Sequence, residues 1–252
     1  MIFDFRLTIA GALMLIFSIT GCNREDAWDV VKTRGAHVVE QRDLPAFRGI
    51  AVRNGINMVI AQGDAYSATI EGWKNLTPKI LLSVDEDDIL IVDDTNNFNF
   101  VRSRDNMTTV YLTVAGELNY MRFSGNGYIM SNDTISASGL TILCERSSGD
   151  VDLKVKSQSV YLGVGGGTTV ASITIGGICQ DAGITNWGLA PIDFSGLRAL
   201  SADIHHHGPG NVYINASETL SATLYSTGDA YYLGSPVITL VRRNRGNLYG
   251  MN

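Results

Sequence analysis

From His37 onward, apolar and β-branched residues alternate with polar ones over short stretches: Ile50–Val52, Ile56–Ile60, Ala68–Ile70, Ile80–Val84, Ile89–Val92 and Val110–Val114. A period of two is that of a strand with one face buried. Asn54-Gly55, Gln62-Gly63-Asp64 and Asp85 to Asp88 fall between these stretches, where hairpins need turn residues. No long window keeps a period of 3.6, so the pattern predicts almost no helix.

After about residue 120 the pattern becomes a loose repeat. Glycine-centred turns recur at Gly127, Gly149, Gly166, Gly188, Gly208 and Gly228, spaced by 22, 17, 22, 20 and 20 residues. A short alternating run follows most of them: Tyr128–Met130, Val151–Val155, Val170–Ile175, Val212–Ile214 and Tyr231–Leu233. Strand after strand at a period near 20 predicts a solenoid, in which no coil buries its apolar face alone and stacked neighbours share one core. A β-sandwich with glycine-rich hairpins is the alternative left open by periodicity.

The start of the chain has a different character. Leu7 to Ile19 is almost wholly apolar and leads through Thr20-Gly21 to Cys22. That is the layout of a bacterial lipoprotein signal, cut before Cys22, whose thiol then carries the lipid. The run is shorter than the roughly 20 residues a spanning helix needs, and a general secretory signal would not have to end on cysteine. Asp4 makes the leading segment less basic than such signals usually are. The expected organisation is a signal over 1–21, a polar tether over 22–35 and a domain over 36–252. Within that domain an N-terminal β region (36–115) caps the glycine-turn repeats (116–252).

The net charge is −6, with bases scattered among the acids. No Lys/Arg stripe is present to track phosphates, which argues against nucleic acid as a partner. Cys144 and Cys179 would sit in an oxidising compartment. Their apolar flanks fit buried free thiols at least as well as a disulfide.

The runs Phe47-Arg48-Gly49-Ile50-Ala51-Val52, Asn54-Gly55-Ile56-Asn57 and Val59-Ile60-Ala61-Gln62-Gly63-Asp64 resemble the opening of the head GIN domain family, with the Gly-Ile-Asn triplet at 55–57. Thr109 to Val114, Leu118 to Gly127 and Ser226 to Pro236 resemble that family's later Ser-Gly-x-Gly turns and closing coil. The resemblance spans roughly 36–250. It implies a right-handed β-helix-like fold on secreted or lipid-anchored envelope proteins of adhesin-like type, with no established reaction and no agreed ligand. Ile184 to Phe194 and His205 to His207 depart from the usual turn.

Candidate chemistry is sparse. His205-His206-His207 could hold a metal, but successive strand residues face opposite ways, so a solvated turn is the simpler expectation. Asp85-Glu86-Asp87-Asp88 and Asp93-Asp94 could bind calcium or form a solvated hairpin tip that deters edge pairing. Asp150 and Asp229 follow turn glycines and could align across coils, yet turns favour Asp there for local hydrogen bonds. No nucleophile elbow, zinc signature or phosphate loop is present. No metal and no cofactor is therefore expected. Aromatics at the turns are more suggestive: Trp187 beside Gly188, Tyr231-Tyr232 after Gly228-Asp229, and Tyr213 and Tyr225 on the same coils. Rings on a flat face suit stacking on sugars or docking of a protein; strand alternation turns half of them inward.

The expected molecule is a lipid-anchored, non-enzymatic envelope protein of all-β, solenoid architecture, anchored at Cys22 in the outer membrane, with Trp187, Tyr231 and Tyr232 as binding candidates for a glycan or protein. A carbohydrate-active enzyme would instead need aligned carboxylates in a groove, and a structural or signalling periplasmic lipoprotein would need no exposed aromatic patch.

Overall fold

A computed structural model describes residues 35–96, 107–166 and 168–251. The signal segment 1–21, Cys22 and the tether up to residue 34 lie outside the described residues.

Among the described residues seventeen strands form one continuous sheet wound into a β-solenoid of about six turns. Strands β2 (Gly49–Asn54), β8 (Tyr120–Gly125), β9 (Ile129–Glu145), β10 (Asp150–Gly165), β11 (Ser172–Ile178), β12 (Asp181–Asn186), β13 (Ile192–His206), β14 (Val212–Leu224), β15 (Ala230–Leu233), β16 (Val237–Arg242) and β17 (Leu248–Gly250) stack in parallel columns. The inward positions stay in register from coil to coil. One column runs Ile50, Met121, Ile142, Leu162, Ile184, Ile204, Ala222 and Leu240. A second runs Ile129, Val151, Ile173, Ile192, Val212, Ala230 and Leu248. Most members of both columns are fully buried, and each buried aliphatic side chain contributes about 1.5–3 kcal/mol of transfer free energy.

The remaining strands close the N-terminal end. Strand β3 (Ile56–Gln62) pairs in parallel with β7 (Thr108–Val114) and β9. Strand β4 (Ser67–Trp73) lies antiparallel between β7 and β1 (His37–Asp43). Strand β5 (Ile80–Val84) lies antiparallel on β6 (Ile89–Asp94), which itself pairs in parallel with β2. The cap and the stack thus interleave: β2 and β3 already belong to the parallel columns, and the antiparallel strands are laid over them. Among the described residues nothing covers the far end in this way. Strand β16 pairs, among the described residues, only with β14, and all six of its residues are exposed.

The glycine corners have a steric cause. A Cβ at Gly149 would overlap the carbonyl oxygen of Gly127 in the coil beneath, so only glycine lets these two turns approach. Gly177 turns the chain at φ 119°, a conformation that side-chain-bearing residues rarely adopt. The strands between corners are longer than the sequence pattern suggests, because β9, β10, β13 and β14 continue through bends marked by register shifts, such as that between Phe194 and Arg198.

Candidate binding surface

The corner after β12, β13 and β14 is built from the inside out. At the inward position where other coils place Val52, Phe123, Cys144 or Val164, these coils place Asn186 and His206. Both are fully buried, and buried polar groups must find partners. The Asn186 carboxamide oxygen accepts the Gly188 amide at 2.7 Å. The Asn186 amide nitrogen faces His206 Nδ1 at 3.4 Å, and His206 Nε2 donates to the Gly210 carbonyl at 2.6 Å. Burial holds the His206 imidazole below its ordinary pKa, against the opposing pull of the Gly210 carbonyl. A neutral ring protonated at Nε2 therefore ties each coil's corner to its own strand.

On this frame the next residue of each coil points outward. The Trp187 amide donates to the Val164 carbonyl, that of His207 to Asn186 and that of Tyr225 to His206, so the three occupy one register position on successive coils. Their rings stack. Trp187 and His207 have centroids 3.6 Å apart at an interplanar angle of 7°, and His207 and Tyr225 are 4.0 Å apart at 7°. Trp187 is 53% exposed and Tyr225 39%. His207, between them, is held below its ordinary pKa by burial and then by neighbouring His205, so the column is uncharged near neutral pH.

The histidine run therefore divides three ways. His205 points out and pairs with Asp203 at 3.0 Å, His206 points in, and His207 joins the ring column. The expected solvated turn is replaced, for His206, by a buried structural role. Among the described residues no group of three His, Cys, Asp or Glu side chains converges on a metal-sized site.

A second column lies across the glycine corner. Tyr231 stacks on Tyr213 at 5.0 Å and 16°, and on Tyr249 at 5.4 Å and 30°. Tyr232, the neighbouring residue, packs against the core instead. Of the three expected contact residues, Trp187 and Tyr231 face outward in separate columns and Tyr232 faces the interior. The sequence reading took His207 only as part of a candidate metal cluster, not as a stacking ring, and it did not single out Tyr249. The signal for His207 was its offset of 20 residues from Trp187 and 18 from Tyr225, legible only once the coil boundaries are known.

The carboxylates are mostly engaged locally. Asp85 accepts the amides of Asp87 and Ile89 at 3.0 and 2.9 Å, closing the hairpin tip. Asp229 accepts the Asn247 amide at 2.8 Å, and Asp193 that of Ser195 at 2.8 Å. Asp150 and Asp229 share a register column but stand four coils apart, roughly 19 Å at the usual strand spacing. Asp152 and Asp193 are two coils apart with Thr174 between them, on an open face. Both cysteines are free and buried; burial pushes the Cys144 thiol up to about 12 and the Cys179 thiol up to about 11.

A family model described as "Putative auto-transporter adhesin, head GIN domain" matches residues 46–236, most of the chain. The chain belongs to the head GIN domain family. Solved structures similar to this head GIN protein carry the same fold. One from Bacteroides fragilis, described as a "putative adhesin", is 21% identical with a TM-score of 0.76, covering 86% of this chain and 97% of that one. Another described in the same words, from Parabacteroides merdae, is 18% identical with a TM-score of 0.58, over 86% of this chain and 97% of that one. One from Parabacteroides distasonis, described as a "Putative lipid binding protein", is 15% identical with a TM-score of 0.65, over 86% and 98%. No curated protein matches the chain.

Proposed function

We propose that this head GIN protein is a non-enzymatic, adhesin-like module of the bacterial envelope, held by lipid at Cys22, that binds a glycan or protein partner through the Trp187–His207–Tyr225 column. The observation that carries the reading is that column: parallel rings on successive coils, two of them well exposed. A core would bury such rings, and a contiguous row of them left in water is the kind of apolar surface that marks an interaction site. Exposed Leu189, beside the turn, widens the apolar area. The adhesin description of the family supports the same reading. The open, flat setting of Asp152 and Asp193 offers no groove for acid–base hydrolysis.

Replacement Trp187→Ala tests it. Loss of the stack costs about 0.5–1.5 kcal/mol, so the melting temperature should fall by only a few degrees while attachment to envelope or host surfaces is lost. A large fall in melting temperature with attachment intact would make the ring structural. Placement is tested separately. Cys22→Ser should move the protein to the soluble fraction. Protease shaving of intact cells should remove a tag placed after Asn252 if the domain faces outward, and should spare the tag until lysis if it faces the periplasm.

A further inference from the structure

The ring column has a vacancy at its upper end. Counting back one coil from Trp187, the residue in register is Gly165, and one coil further it is Glu145. The outward order is therefore Glu145, an absent side chain, Trp187, His207, Tyr225. Most turn glycines here are forced, since a Cβ at Gly125, Gly127, Gly149 or Gly208 would overlap backbone of the adjacent coil. Gly165 is not forced. Its φ is ordinary, and a Cβ there would meet only the Glu145 side chain, at 3.4 Å from Cγ and 3.9 Å from Oε1. Neighbouring Gly163 differs again, for Leu143 leans into its space, with Cδ2 2.8 Å from where a Cβ would stand. Beside Gly165 the Glu145 side chain stands in ordinary contact on one side, and no Trp187 atom lies within 4 Å of where a Cβ would stand.

We propose that this gap is a subsite for one neutral pyranose ring, its C–H face on Trp187 and its hydroxyls on the Glu145 carboxylate, whose charge Arg122 balances. The inference rests on the binding role given above to the same column. The height fits: Glu145 and Trp187 are two strand spacings apart, roughly 9–10 Å, and a ring in van der Waals contact takes about 3.5–4 Å of that. One face of the indole is covered by His207 while the residue is 53% exposed, which leaves the other face to solvent on the Gly165 side. Opposite it, the Glu145 carboxylate is bound to the Arg122 guanidinium. Arg122 lies on β8, beyond Glu145 as seen from Gly165, so the carboxylate borders the gap with its charge already matched, an acceptor for a sugar's hydroxyls rather than a partner for a cationic side chain.

The test titrates the full chain with neutral hexasaccharides of glucose, mannose, galactose and N-acetylglucosamine, following the fluorescence that Trp187→Phe removes. At least one sugar should quench it saturably. Gly165→Leu, which fills the gap, should weaken that binding tenfold or more with the melting temperature nearly unchanged. Glu145→Ala, which leaves the gap open and removes the polar edge, should weaken it several-fold and serves where Gly165→Leu folds poorly. Equal affinity in both variants, with loss only in Trp187→Ala, would overturn the subsite and leave the wider binding face standing. The subsite also falls if no sugar in the panel binds, or if an arginine-rich peptide binds the gap better than any of them. Failure of the wider face would show instead as Trp187→Ala attaching to surfaces as well as the native chain.

Discussion

Asn186 and His206 replace apolar residues in an otherwise aliphatic column, and each does so by satisfying the turn above it. His206→Leu would leave the Gly210 carbonyl and the Asn186 amide unpaired, at a cost of about 1–3 kcal/mol, read as a lower denaturant midpoint. The same ring makes stability depend on pH. The unfolded chain takes up a proton on this histidine near its ordinary value of 6.5, while the folded chain resists to a lower pH. Its contribution is therefore intact above about 6.5 and is lost as the pH falls from there toward the lowered native value. Thermal melts between pH 8 and 5 should show that decline, and it should shrink in His206→Leu. The two thiols provide a separate check. Buried and held protonated, Cys144 and Cys179 should react with a maleimide only on unfolding.

At the level of elements, the strands and glycine corners were legible because they follow local rules. Alternation marks β2, β3, β6 and β7, and the spacing of Gly127, Gly149, Gly188, Gly208 and Gly228 marks the coils. What escaped depends on contacts between coils. The bends inside β10 and β13 carry no single turn residue, since pairing with the neighbouring coil holds the strand together through the shift. His207 could not be placed because its stack depends on the alignment of coils of unequal length. The edge strand β16 was equally hidden, its Val-Ile-Thr-Leu-Val run reading like any core strand. In the fold it carries Val237 at 75% exposure beside a backbone edge that no other described strand pairs with, the arrangement that invites strand-to-strand association. Val237→Lys should lower self-association of concentrated protein in sedimentation experiments without lowering its melting temperature.

Across the whole molecule, stability is a sum of coils and the contacts between neighbours. The N-terminal end is covered by antiparallel strands, while among the described residues the last coil has a neighbour on one side only. Amide exchange should therefore be slowest in β10, β12 and β13 and fastest in β16 and β17, with protection falling stepwise toward the C-terminal end. Uniform protection would mean that the stack opens as one unit. The register of the outward column has a further consequence for how such a surface changes over generations. Because one coil contributes one residue to the column, duplicating a coil lengthens the row of rings by a single place and shifts every later residue without altering its neighbours. Deleting the coil that bears His207 would set Tyr225 directly against Trp187. The reach of the surface is thus written as a count of coils, and it can grow or shrink in whole steps while the core beneath keeps the same cross-section.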